Sequence, residues 1–261
     1  MTANPSIDLL VAVGVAVLPG FATICLSLAV LPARMTALRI LVAVLGVVLL
    51  RDAVTAHRLA EYGLAGGDGL LWIRFLGDPV VLVALALVSL LGTAAVALVF
   101  RDRARRMRWH ADRAWTTVPV GLLGALVVAV PLLVLQGSVP GLAVADVPIA
   151  LRGGAVDRSL LAPLAVFVLC GSLLEEVLFR GLLQSELEHH TSVARAAVAS
   201  GVLFAAGHAS LATTVTGLGW PLLAFTLVEG LVCAAVAVRH GVLGATLTHG
   251  GAILLLCSGV L

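Results

Sequence analysis

The chain has 261 residues, of which 61% are hydrophobic and only 11% are charged, and its mean hydropathy is +1.15. This composition excludes a water-soluble globular domain, in which about a quarter of the residues carry a charge. The formal net charge of +2 is too small to indicate a nucleic-acid partner. We therefore expect a lipid bilayer around the chain and no nucleic acid.

Apolar segments long enough to span a bilayer, about 20 residues, recur along the whole chain. They predict an all-α fold, a polytopic transmembrane helix bundle of about eight spans. The predicted spans are approximately 7–31, 36–50, 79–100, 116–136, 160–184, 193–208, 220–238 and 241–260.

The connector between the third and fourth predicted spans is strongly basic. It reads RDRARRMRWHADRAW over 101–115, with six arginines and two aspartates. The positive-inside rule assigns it to the cytoplasm, together with the later turns ELEHHTSVAR and RHG. All 16 basic residues of the chain are arginine, a bias typical of GC-rich bacterial genomes, so we predict a multi-pass protein of a bacterial plasma membrane. The segment 51–78 becomes an external loop, for which we predict a structural role.

The fifth predicted span contains GSLLEEVLFRG (171–181), which carries three charges in an apolar run. Each charge at the centre of a membrane helix costs about 2.5–3.5 kcal/mol on insertion scales. Glu176 and Arg180 are four residues apart on one helix face, and we predict that they pair. Glu175 lies about 100° further round the helix, so its carboxylate points elsewhere.

His208 lies in the sixth predicted span and is the first expected companion of Glu175. If the two spans turn near His190, Glu175 is 15 residues before the turn and His208 is 18 after it. At about 1.5 Å per residue the two side chains are nearly level in the bilayer.

A second histidine, His249, follows a turn at His240 by nine residues, and Glu229 precedes that turn by 11. His249 and Glu229 are therefore level with each other. Glu229 either orients His249 or bonds a neighbouring helix. Three polar insertions within 75 residues predict an active site formed by Glu175, His208 and His249, in a cavity open to the cytoplasmic side.

These residues resemble the motifs of the CAAX-protease and bacteriocin-processing family of intramembrane proteases, also called the type II CAAX prenyl endopeptidase or Abi family. The motifs are matched in chain order by Glu175, Glu176 and Arg180, by Phe204 and His208, and by His249 and Ile253. The resemblance covers about 160–256. It implies a protease core at 155–261, joined in one membrane domain to N-terminal helices at 1–150 that carry no diagnostic motif.

The resemblance implies an endopeptidase whose substrate is a peptide or a membrane protein. Glu175 is then the general base on water, His208 positions the water and relays the proton, and His249 stabilises the oxyanion. The Glu176–Arg180 pair fixes the helix face, and this mechanism requires no cofactor. Eukaryotic members have Asn at the position of Ile253, where the amide helps to hold the oxyanion. Isoleucine cannot donate, so His249 has to act alone.

Three alternatives remain open at this point. Glu175, His208 and His249 are also the ligand set of a catalytic zinc site with an open position, which keeps a metalloprotease in view. Intramembrane acids and histidines also mark proton or ion pathways in transporters, and a non-catalytic scaffold or immunity protein can retain the same fold. HExxH, GxSxG and GxGD motifs are absent, which argues against site-2, rhomboid and aspartyl intramembrane proteases.

Overall fold

The computed structural model describes residues 5–56, 60–64, 71–138 and 158–258. The α-helices are α1 (Pro5–Val30), α2 (Thr36–Ala56), α3 (Pro79–Val99), α4 (Arg101–Arg106), α5 (Thr117–Ser138), α6 (Leu161–Glu176), α7 (Ser185–Glu188), α8 (Val193–Ala206) and α9 (Trp220–Cys257). Two π-helical segments, Val177–Gln184 and Leu211–Val215, continue α6 and follow α8. The all-α prediction is confirmed.

One small sheet accompanies the helices. Strands β1 (Ala60–Leu64) and β2 (Leu71–Phe75) pair antiparallel, with Ala60 opposite Phe75. An ion pair between Glu61 and Arg74 links the two strands on one face. This hairpin lies within the segment predicted as an external loop.

Six helical segments of the described chain are long and apolar enough to cross a membrane. They are Leu9–Val30, Pro79–Val99, Ala114–Val134, Leu161–Glu188, Val193–Val215 and Trp220–Cys257. The protein is therefore a multi-pass membrane protein. The count differs from about eight at two places. The predicted span 36–50 lies in α2, which also carries charged Arg39, Arg51 and Asp52 and is not among the six. The last two predicted spans are the two parts of α9.

Helix α9 reverses direction at Gly241, where φ is +66° and ψ is −170°. Only glycine adopts this conformation readily, and a Cβ here would lie 2.5 Å from the carbonyl oxygen of Arg108. The reversal brings the thiol of Cys233 within 3.8 Å of the carbonyl oxygen of Ala245, although a straight helix would separate them by about 18 Å. The chain therefore turns next to His240, as predicted.

The basic connector and two later turns meet at one end of the bundle, which we call the arginine end. Arg103 forms an ion pair with Glu186 at 2.7 Å and a hydrogen bond with His189 at 2.9 Å. Arg108 donates to the carbonyl oxygen of Val238 beside the reversal of α9. The connector and both turns share one side of the membrane, as the sequence predicts.

The interior is closely packed around α9, which contacts α5, α6 and α8. Helices α8 and α9 approach each other closely, since a Cβ on Gly230 would lie 2.7 Å from the carbonyl oxygen of Gly201. Small residues at such crossings let backbones approach directly. The crossing of α8 and α9 brings Phe204 and Gly230 within reach of Arg180.

Candidate active site

Glu176 and Arg180 form an ion pair inside the bundle, with 3.0 Å between Oε1 and Nη1, and both side chains are fully buried. The guanidinium also donates to the carbonyl oxygen of Gly230 at 2.9 Å. It lies 4.5 Å from the ring centroid of Phe204, within the range of a cation–π contact. Arg180 thereby ties the fifth predicted span to α8 and α9.

The backbone changes from α-helix to π-helix directly after Glu176 and stays π-helical through Gln184. Such segments are rare and frequently occur at functional sites. Ser200 on α8 donates to the carbonyl oxygen of Phe179 at 3.0 Å. A hydrogen bond from the neighbouring helix thus stabilises the π-helical segment. The sequence of this segment does not indicate π-helical geometry.

His249 is joined to the same carboxylate as Arg180. Its Nδ1 lies 2.9 Å from Oε1 of Glu176, so Nδ1 carries a hydrogen and donates it. Its Nε2 lies 3.9 Å from Oε1 of Glu229. The predicted equal depth of His249 and Glu229 is confirmed, and Glu229 is a neighbour of the imidazole.

His208 lies in the turn directly after α8 and contacts Phe204 of that helix and Arg51 of α2. Its Nδ1 lies 2.8 Å from the carbonyl oxygen of Phe204, and its Nε2 lies 2.8 Å from Nη1 of Arg51. The fully buried ring of Phe204 separates the two histidines, with centroid distances of 4.6 Å to His208 and 5.5 Å to His249. The phenyl ring fixes the spacing of the imidazoles.

Glu175 points away from Glu176. Its Oε1 lies 3.9 Å from Nη1 of Arg51. Its Oε2 is buried and has no hydrogen-bond partner within the described ranges, and no hydrogen bond joins Glu175 to His208 or His249 there. One carboxylate oxygen is thus left for a ligand.

A cavity of about 250 Å³ brings the three predicted catalytic residues together. Glu175, His208 and His249 line it, as does Ile253. Most of the remaining wall is aliphatic or aromatic, which suits an apolar segment of a ligand.

The cavity extends away from the arginine end. Glu175 lies near the middle of the membrane segment Leu161–Glu188, and the wall continues to Tyr62, Ile73 and Phe75 of the hairpin. The positive-inside rule places the arginine end in the cytoplasm. The cavity therefore extends towards the opposite side of the bundle, whereas the sequence predicted a cavity open to the cytoplasmic side.

Part of the segment 51–78, predicted to be a structural loop, lines the cavity. Helix α2 continues to Ala56, so Arg51 and Asp52 lie within a helix, and Arg51 reaches the cavity. Adjacent charges after an apolar run single out Glu175, and Arg51 with Asp52 shows the same pattern at the start of the segment predicted as a loop.

Tyr62 also reaches the cavity from the hairpin. Burial raises the pKa of its phenol to about 12, and neighbouring carboxylates including Glu175 act in the same direction, against the opposing charge of Arg51. The phenol is therefore un-ionised at physiological pH and adds a neutral hydroxyl to the wall.

The zinc alternative requires three converging ligands. In the part of the chain that the structure describes, no group of three or more His, Cys, Asp or Glu side chains is arranged to hold a metal ion. Glu175 and His208 are each directed to Arg51, and His249 is directed to Glu176. As arranged, these three side chains do not converge as the ligands of a zinc ion.

Residues 157–255 match the family model described as type II CAAX prenyl endopeptidase Rce1-like. This part of the chain is therefore similar to the CAAX-protease family. No curated protein and no solved structure is significantly similar to the chain. The CAAX-protease region, as we call 157–255, contains all seven residues predicted from the motifs. The matched family is one of membrane proteases that act on a peptide or protein substrate. Arg51 lies outside the matched region.

Proposed function

We propose that the protein is an intramembrane endopeptidase that hydrolyses a peptide bond with water activated by Glu175. One observation carries the proposal: the unpartnered oxygen of Glu175 lines the same cavity as His208 and His249. We further propose a bacterial plasma membrane as its location, and a peptide, a leader segment or a membrane protein as its substrate.

In the first step Glu175 takes a proton from water, and the water oxygen bonds to the carbonyl carbon of the substrate. The carbonyl electron pair moves to its oxygen and gives a tetrahedral oxyanion. His208 orients the water when its Nε2, which accepts from Arg51 in the structure, accepts from the water instead. The apolar wall excludes bulk water, which strengthens each electrostatic contact.

The oxyanion needs a hydrogen-bond donor, and His249 supplies it from Nε2 when its ring carries both protons. Glu176 at 2.9 Å and Glu229 at 3.9 Å balance the charge of that ring. Ile253 lines the cavity without a polar atom, so no amide assists at its position.

In the second step the tetrahedral intermediate collapses and the C–N bond breaks. The proton held by Glu175 passes to the leaving amine, with His208 as the relay, and the new carboxyl group remains on the other product. Glu176 and Arg180 contact no substrate in this scheme; they hold His249 and the helix face.

The test compares wild-type protein with Glu175→Gln, purified in detergent and supplied with a peptide library. We expect cleavage to fall by at least about 10²-fold, the size of a general-base contribution. Glu188→Gln is the matched control, since Glu188 is on the same helical segment about 20 Å nearer the arginine end. Equal cleavage by wild-type protein and Glu175→Gln would reject the proposal.

The same assay addresses the metal and the non-enzymatic alternatives. A chelator leaves the activity unchanged if the glutamate mechanism holds, and abolishes it if a metal is required. A transporter or scaffold would show no cleavage that depends on Glu175.

A further inference from the structure

We propose that Arg51 of α2 is a positioning residue of the active site, which fixes the tautomer of His208 and supplies the cation facing Glu175. This inference rests on the proposed function for its catalytic consequence. Arg51 is separated by more than 100 residues from the CAAX-protease region.

The guanidinium of Arg51 is held firmly. Nε and Nη2 donate to Oδ1 of Asp52 at 3.2 and 2.9 Å, and Nη2 also donates to the carbonyl oxygen of Gly207 at 2.9 Å. Asp52 is itself buried. The guanidinium is planar, and two acceptors already bind its Nε and Nη2, so its orientation is restricted. The position of Nη1 is therefore determined by these contacts.

The contact with His208 determines where the imidazole carries its hydrogen. A guanidinium has donors only, so Nε2 at 2.8 Å from Nη1 is the acceptor. The carbonyl oxygen of Phe204 can only accept, so Nδ1 at 2.8 Å from it carries the hydrogen. Both partners specify the same neutral tautomer.

The geometry forms two parallel sets, each of one glutamate, one arginine and one histidine. Glu176 is bound by Arg180 and His249. Its neighbour Glu175 faces Arg51, and Arg51 binds His208. The first set lies within the CAAX-protease region, whereas the second is completed by α2.

The catalytic consequence follows from the tautomer. In the structure the lone pair of Nε2 accepts from Nη1 at the cavity wall beside Glu175. An entering water takes the place of Nη1 as the donor to Nε2. Arg51 remains bound to Asp52 and Gly207 during this exchange. Without Arg51 the ring keeps one of its two tautomer-specifying partners, the carbonyl oxygen of Phe204, and Glu175 loses the cation that faces it at 3.9 Å.

The first measurement is the nitrogen NMR spectrum of protein labelled with ¹⁵N-histidine in detergent. His208, assigned by its loss in His208→Gln, is expected as the neutral tautomer with hydrogen on Nδ1. In Arg51→Met the Nε2 resonance is expected to shift, because Nε2 loses the hydrogen bond from the guanidinium, and the tautomer is held by Phe204 alone. The control Arg39→Met removes another α2 arginine, which contacts Leu28 and Phe100 instead of the cavity, and should leave the signal unchanged.

The second measurement is kinetic. We expect Arg51→Met to lower kcat by about 10²-fold or more with KM changed less than about threefold, since loss of a tautomer-fixing group acts on the chemical step. Arg51→Lys keeps a charged donor but not the fork, and should recover part of kcat. Unchanged kcat in Arg51→Met would overturn the proposal.

Arg51→Met leaves the buried carboxylate of Asp52 unpaired, which can prevent folding. The double variant Arg51→Met with Asp52→Asn removes that charge and gives the same two readouts. The NMR experiment requires no substrate, so it separates the two proposals. An unchanged His208 signal refutes the role of Arg51, whereas a shifted signal without any peptide cleavage refutes the proposed function alone.

Discussion

Replacement of Arg180 by methionine is the sharpest test of the buried polar network. Methionine has a similar length and retains the packing of the arginine stem. The change removes the 3.0 Å ion pair with Glu176, the hydrogen bond to the carbonyl oxygen of Gly230 and the cation–π contact with Phe204. Glu176 is left fully buried with His249 as its remaining described partner.

The magnitude follows from that burial. Removing one partner of a buried ion pair typically costs about 3–5 kcal/mol, because the other charge stays uncompensated. At about 2–4 °C per kcal/mol for a chain of this size, the melting temperature should fall by about 6–20 °C. The lost carbonyl and ring contacts are included in this range.

Thermal unfolding in detergent, followed by tryptophan fluorescence, measures the effect. Arg195→Met is the control: Arg195 is an exposed arginine of α8, and its loss should change stability by less than about 0.5 kcal/mol. The double variant Arg180→Met with Glu176→Gln should be less destabilised than the sum of the single variants, by about 0.5–3 kcal/mol. A melting temperature of Arg180→Met within about 2 °C of wild type would refute the reasoning.

Three further predictions concern the packing and the cavity wall. Gly230→Ala places a Cβ 2.7 Å from the carbonyl oxygen of Gly201 and should destabilise the protein by about 1–3 kcal/mol. In the control Gly14→Ala the added Cβ has no neighbour within 4 Å, so this variant should melt like wild type. Equal melting temperatures of the two variants would contradict the close crossing of α8 and α9. Tyr62 is the single tyrosine of the chain, so phenolate absorbance should titrate near pH 12 instead of about 10. Because the pKa is higher in the folded than in the unfolded protein, the stability of wild type relative to Tyr62→Phe should fall as the pH rises from about 10. A titration midpoint at pH 10 would exclude burial of the phenol. Ile253→Asn adds an amide to the cavity and should raise kcat, whereas Ile253→Leu should not; a lower or unchanged kcat in Ile253→Asn would show that no donor is missing there.

Helix geometry made the first part of the site predictable. The pairing of Glu176 with Arg180 follows from a spacing of four, and the meeting of Glu229 with His249 follows from equal distances to a turn at His240. Both inferences need only the rise and the period of an α-helix. The family motifs then identified which polar residues belong together.

Other parts of the site were not predictable from local patterns. Arg51 meets His208 across 157 positions of sequence, and this contact depends on the packing of α2 against the CAAX-protease region. The segment that forms the hairpin shows no clear alternation of apolar and polar residues, so it was not predicted as two strands. Tyr62 was therefore not predicted as part of the cavity wall. The π-helix after Glu176 depends on partners such as Ser200 that come from another helix.

The reversal at Gly241 also bears on how the chain enters the bilayer. Because a single residue makes the turn, the two arms of α9 can leave the translocation machinery together as a helical hairpin. Glu229 and His249 lie 3.9 Å apart within this one hairpin, so two polar groups that would each resist transfer into lipid can cross as neighbours. The reversal would thus carry an acid and an imidazole into the membrane already side by side.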